Sequence, residues 1–180
     1  MATKTWIAFL RAVNLGAFNK VPMAGLRTMV ESLGYDNVRT HLQSGNVIFT
    51  SGAISPSKLE EQLRAQLAAE FKVDSPVLVR TSQELAKVVK ENPFIKKGND
   101  PKQLHVAFLS KKPAAKEVAA VDAEKSLPDE FAFGDRAIYM RLVNGVQGSR
   151  LPNWDRLLSV AATWRTWTTV TRLHELADAL

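Results

Sequence analysis

The 180 residues contain no cysteine, so disulfides, thiolate metal sites and a cysteine nucleophile are excluded together. Such a chain suits a reducing compartment, and the expected location is the cytoplasm. Long apolar runs are also lacking. The stretch from Trp6 to Val13 falls well short of the roughly 18 residues of a spanning helix and already carries Arg11. No membrane partner is expected. Histidine is sparse: His41, His105 and His174 lie far apart and outside any compact ligand spacing, so neither a metal nor a cofactor is predicted. Carboxylates are scattered without a paired acid and base.

What is present is an ordinary globular composition, 46% hydrophobic and 23% charged, with a net charge of +6. The excess cation helps steer anions toward the surface. It is concentrated late in the chain, where Arg136, Arg141, Arg150, Arg156, Arg165 and Arg172 are offset between the first and last of them only by Asp155. This segment reads either as a solvated face or as an anion-binding one.

Periodicity divides the chain into two similar halves. Thr5 to Leu10 predicts a buried strand, and Pro22 opens a helix carrying Leu26, Met29, Val30 and Leu33 before Gly34. Val38 to Leu42 and Asn46 to Thr50 predict a hairpin across Gln43-Ser44-Gly45. Ser55-Pro56 starts a helix with Leu59, Leu63, Leu67 and Phe71 on one stripe, and Pro76 to Arg80 closes a β-α-β-β-α-β unit. Thr81 and Glu84 have capping-box spacing for a connecting helix, ended by Asn92-Pro93. Residues 94–103 read as an exposed loop, which sets the expected domains at 1–93 and 94–180.

The second half repeats the order with a strand at Leu104 to Leu109, a helix from Pro113 to about Ala123, and strands meeting at a Gly134-Asp135 turn. A helix near Pro152 to Val160, an extended segment at Ala162 to Arg165 and a last helix bearing Trp167, Val170, Leu173, Leu176 and Leu180 follow. Element order is shared between the halves; residue identity is not obvious. The predicted fold class is α+β, two consecutive βαββαβ-like units packed as one body with a C-terminal helix.

The candidate site lies in the first half. The loop from Arg11 to Met23 places Arg11, Asn14, Gly16, Asn19 and Lys20 directly before a helix, where free N–H groups and two cations suit an anion. The spacing is neither a P-loop nor a GxGxxG fingerprint. The alternative is a structural loop in which Asn14 and Asn19 hydrogen-bond the backbone. Gln43, Ser44 and Asn46 gather amides and a hydroxyl at the hairpin, and turn chemistry accounts for them equally well. Ser44 with His41 as base fails as a catalytic pair, since positions three apart on a strand face opposite ways. Near the C-terminus Arg165 is a candidate phosphate contact, while Trp167 reads as a core anchor with Thr168 as helix cap.

At Leu10 to Gly16, Asn19-Lys20-Val21-Pro22-Met23, Gln43-Ser44-Gly45-Asn46-Val47 and Thr163 to Leu173, the chain resembles the bacterial domain of unknown function 1697 family. Glu91-Asn92-Pro93-Phe94 and Lys102 to Leu109 match its middle. The resemblance implies a fused pair of ferredoxin-like units and directs attention to Arg11, Asn14, Gly16, Asn19, Lys20, Pro22 and Gln43 to Asn46. It implies no activity. The chain departs from the family's Arg-Asn-Trp pattern, having Arg165-Thr166-Trp167. Binding of a small anionic or phosphate-bearing ligand is the leading functional expectation, with any catalysis resting on positioning and electrostatics. Binding of RNA or single-stranded nucleic acid and a protein-interaction role are the alternatives. The nucleic-acid reading lacks the RNP1 pattern.

Overall fold

The computed structural model describes residues 3–180. They form two compact units, one running up to Lys87 and including Arg172–Leu180, the other spanning Val88–Thr171. Among the described residues no helix is long and apolar enough to cross a membrane.

The first unit contains β1 (Lys4–Leu10), α1 (Met23–Ser32), β2 (Asp36–His41), β3 (Asn46–Ser51), α2 (Pro56–Phe71) and β4 (Val77–Thr81). Its antiparallel sheet has the order β2-β3-β1-β4. Trp6, Ala8 and Leu10 of β1 alternate onto one face, where they pack with Val47, Phe49, Val77 and Val79. The amphipathic stripes of the helices close that face: α1 buries Leu26, Met29 and Val30, and α2 buries Leu59, Leu63 and Leu67. Ser55 caps α2 by accepting from Lys58 N at 3.3 Å. Ile7, Phe9 and Ile48, on the opposite face, are buried as well.

Next comes α3 (Ser82–Glu91), whose capping box forms as the spacing predicts. Thr81 N donates to Glu84 Oε2 at 2.8 Å, and Glu84 N donates to Thr81 Oγ1 at 3.1 Å. The segment expected as an exposed loop is instead structured. It holds α4 (Pro93–Lys96), with Phe94 buried, and a 3-10 turn at Pro101–Gln103. Asn92-Pro93 stops one helix and starts another, because Asn92 Oδ1 accepts from Phe94 N at 3.0 Å and proline suits a first helical position.

The second unit repeats the topology with β5 (Leu104–Leu109), α5 (Ala115–Ala119), β6 (Glu130–Phe133), β7 (Ala137–Arg141), α6 (Trp154–Leu158) and β8 (Ala162–Thr166). Its sheet order is β6-β7-β5-β8, and the chain ends in α7 (Trp167–Asp178). Both predicted helices are shorter than their sequence patterns. α5 ends at Ala119, and a 3-10 segment follows at Glu124–Ser126, where Asp122 Oδ1 accepts from Glu124 N at 3.1 Å. α6 begins after its cap Asn153 and ends at Ser159, which is left-handed at φ 50°. The hairpin turn falls one residue late, since Gly134 N donates to Ala137 O and leaves Asp135-Arg136 at the tip. Thr166, not Thr168, caps α7, its Oγ1 accepting from Thr169 N at 3.2 Å. Trp167 is buried, as expected of a core residue.

Superposing the strand registers reveals identities that element order alone hides. Ile7 pairs with Arg80 and Val106 with Arg165, so Ala8-Phe9-Leu10 matches Ala107-Phe108-Leu109 and Arg80-Thr81 matches Arg165-Thr166. Arg80 is 2% exposed and Arg165 7%. Each folds back onto its own strand, Arg80 Nη1 donating to Val79 O and Arg165 Nη1 to Trp164 O, both at 2.8 Å. Burial lowers the Arg165 pKa to about 10.

His105 occupies the register position that Trp6 holds in the first unit. It is buried, its Nδ1 lacks a hydrogen-bond partner, and burial holds its pKa below the ordinary 6.5. The unfolded chain therefore takes up the proton first, and this stability is present above about 6.5 and is lost as the pH falls below it. Urea denaturation between pH 7.5 and 5 is expected to show that decline, and His105→Gln to flatten it. His41, lowered by burial and then by the Arg172 charge, retains part of the slope. In the first unit Leu67→Ala is expected to cost about 2–5 kcal/mol in the same assay, since it empties a fully buried position.

Candidate functional site

The loop between β1 and α1 is held by its asparagines. Asn14 Nδ2 donates to Val21 O at 2.9 Å and to Gln43 O at 2.8 Å, while its Oδ1 accepts from Val21 N at 2.9 Å. One side chain thus closes the loop on itself and ties it to the β2–β3 hairpin. Asn19 Nδ2 donates to Ala12 O at 2.9 Å, and Asn14 N donates to Asn19 O at 2.9 Å. Asn46 is fully buried and donates to His41 O at 2.7 Å and Ser44 Oγ at 3.1 Å. The backbone-binding alternative for Asn14 and Asn19 is realised, and the hairpin asparagine serves its own turn.

This end of the unit is dense in left-handed backbone: Ala12 at φ 51°, Asn14 at 54°, Gly16 at 57°, Asn19 at 49°, Leu42 at 61° and Gly45 at 80°. Such conformations cost roughly 1–2 kcal/mol each for residues with a Cβ, although asparagine visits them more readily. Gly45 is obligatory on a second ground. A Cβ there would lie 2.7 Å from Leu10 Cβ and 2.8 Å from Val13 Cγ2.

Arg11 is anchored through its backbone, its N donating to Pro76 O at 3.2 Å and its O accepting from Ser75 Oγ. Lys20, Gln43 and Ser44 have exposed side chains. The structure therefore brings Asn14, Asn19, Gln43, Ser44 and Asn46 into one hydrogen-bonded assembly with Lys20 on its rim. Arg165 sits on β8 in the second unit, where its Nη1 also donates to Thr163 Oγ1 at 2.8 Å. α1 follows the loop with no side-chain cap on its first turn.

Sequence reasoning passed over the apolar residues of the same segments. Leu15 is 59% exposed, Phe18 69% and Leu42 55%. Leu15 and Phe18 face each other across a tight bridge, Phe18 N donating to Leu15 O at 2.9 Å. Their signal was an apolar pair around Gly16-Ala17 in a loop with no helical or strand period to bury it.

A family model described as a protein of unknown function, DUF1697, matches residues 3–139. The chain belongs to that family. The match contains the whole loop and hairpin but stops short of Arg165. Among solved structures, the conserved bacterial protein SP0830 from Streptococcus pneumoniae superposes with a TM-score of 0.77 at 19% identity, covering 98% of this chain and 99% of that one. At that identity the likeness establishes a shared fold. No curated protein matches the chain.

The anchoring role of Asn14 is open to measurement. Asn14→Ala leaves three backbone groups without their partner, and a loss of about 1–3 kcal/mol in urea unfolding is expected. Gly45→Ala is expected to lose at least as much, from backbone strain and the clash with Leu10. Asn19→Ala, which removes one side-chain bond, should cost less.

Proposed function

We infer that this chain is a binding protein for a small anionic, phosphate-bearing ligand, held where the β1–α1 loop meets the β2–β3 hairpin. The observation that carries the reading is the Asn14 clamp, which fixes two segments of unfavourable backbone against each other. Backbone strain concentrated at one place is a common mark of a functional surface. Asn14, Asn19 and Asn46 then serve as scaffold. Lys20 and Gln43, with exposed side chains, would make the first ligand contacts, with Arg11, Ser44 and the N–H groups of the first turn of α1 beside them in sequence. Phe18 offers a ring for stacking. Arg165 stays outside this reading because its buried guanidinium donates to its own strand. Placement in the cytoplasm, from the cysteine-free composition, belongs to the same proposal.

An RNA-recognition surface would need exposed aromatic residues on the central strands. On the sheet face away from α1 and α2, Ile7 and Phe9 of β1 and Ile48 of β3 are all buried, which weighs against that alternative. The exposed Leu15, Phe18 and Leu42 favour a second reading, a protein contact through the same end.

A thermal-shift panel of ATP, GMP, glucose 6-phosphate and inorganic phosphate separates the two. Ligand binding is expected to raise the melting temperature, since ligand at 100 times its Kd adds about 2.7 kcal/mol. Lys20→Ala and Gln43→Ala should abolish the rise and leave the unliganded protein within about 0.5 kcal/mol of the parent. No rise with any of these anions, or an equal rise in both variants, refutes the ligand reading. Concentration-dependent light scattering lost in Phe18→Ser would support the protein contact instead.

A further inference from the structure

The second unit has a cleft of about 330 Å³ between α5 and the β6–β7 hairpin. Ala115, Val118 and Ala119 line it from the helix, Pro113 from the segment before, and Phe133 and Gly134 from the hairpin. Lys112 is the one charged residue in that lining. In the first unit the corresponding crossover helix, α1, runs for 10 residues and buries Leu26, Met29 and Val30. α5 has 5 residues and buries none. The large side chains that close the first unit are absent here, and alanines take the corresponding helix. Gly134 on the other wall has no side chain, and a Cβ there would approach Tyr139 Cε2 to 3.2 Å.

We propose that this cleft binds a small amphipathic anion, its apolar body against Ala115, Val118, Ala119 and Phe133 and its acid group on Lys112. The volume falls at the lower end of the roughly 300–1,000 Å³ of small-molecule sites, and the lining has their character, mostly apolar with one polar group to orient the ligand. Charge decides the sign of the head group. Lys111, Lys112 and Lys116 make the segment entering α5 basic. Of the nearby acids, Glu117 is engaged, its Oε2 accepting from Ala114 N at 3.0 Å. Asp135 lies 3.6 Å from Lys112 Nζ in a pair exposed on both sides. Such a surface pair is weak, so a ligand carboxylate with an apolar anchor can displace it.

Decanoate titrated into the full chain, followed by methyl NMR, provides the test. Saturable shifts at the Ala115, Val118 and Ala119 methyls are expected. Ala119→Leu, which fills the cleft from an exposed helical position, should abolish them with the melting temperature kept or raised; Ala115→Leu serves as the second filling variant. Lys112→Gln should weaken decanoate about three- to fivefold and leave decanol unchanged. Three results overturn the proposal: no shift at these methyls at millimolar decanoate, equal binding by both filling variants, or tighter binding of decylamine than of decanoate. Failure here leaves the loop–hairpin reading untouched, because the two sites share no residue.

Discussion

β1 is hydrogen-bonded along both edges, to β3 and to β4, and carries buried apolar side chains on both faces. Its backbone and side chains are therefore removed from water together, and every polar group at its exit needs a protein partner. Leu10 N finds Gly45 O at 2.8 Å and Arg11 N finds Pro76 O. The loop after the strand thus leaves from a point pinned by both neighbouring strands. The second unit solves the same problem in the same way, with Leu109 N on Arg136 O at 3.0 Å and Ser110 N on Ala161 O at 2.8 Å. Gly45 follows from this constraint: the carbonyl that accepts from Leu10 comes so close to that strand that no side chain fits beside it.

On that shared skeleton the two units diverge. The first spends its β1–α1 connection on a loop of left-handed turns locked by asparagines and then closes its sheet with long apolar side chains from α1 and α2. The second shortens the matching helix, covers its sheet with Trp154, Phe131 and Phe133 in edge-to-face contact, and leaves space beside α5. One unit invests in a rigid loop, the other leaves a cleft. Buried Arg80 and Arg165, at matched register positions, are retained in both. Each is satisfied partly by its own strand's carbonyl, which limits the cost of burying a guanidinium.

The sequence by itself determined the α+β class, the order of the strands and crossover helices in each unit, and the family, because the elements depend on local signals: the Leu59-Leu63-Leu67 stripe, the Thr81-Glu84 capping box and the Gln43-Ser44-Gly45 turn all act within a few residues. Its errors have a common origin. The structure of residues 94–103 and the cap of α7 rest on side-chain bonds to nearby backbone N–H groups, from Asn92 and Asp100 in the first case and Thr166 in the second, each of which competes with an equally plausible local pattern. Tertiary structure alone decided which polar residues are scaffold and which face solvent. Asn14 and Gln43 are 29 residues apart, and nothing in their spacing reveals that one side chain binds the other's carbonyl. Likewise the equivalence of Arg80 with Arg165 appears only once strand register aligns the two halves, since hydrogen bonding between distant strands, not local propensity, sets that register.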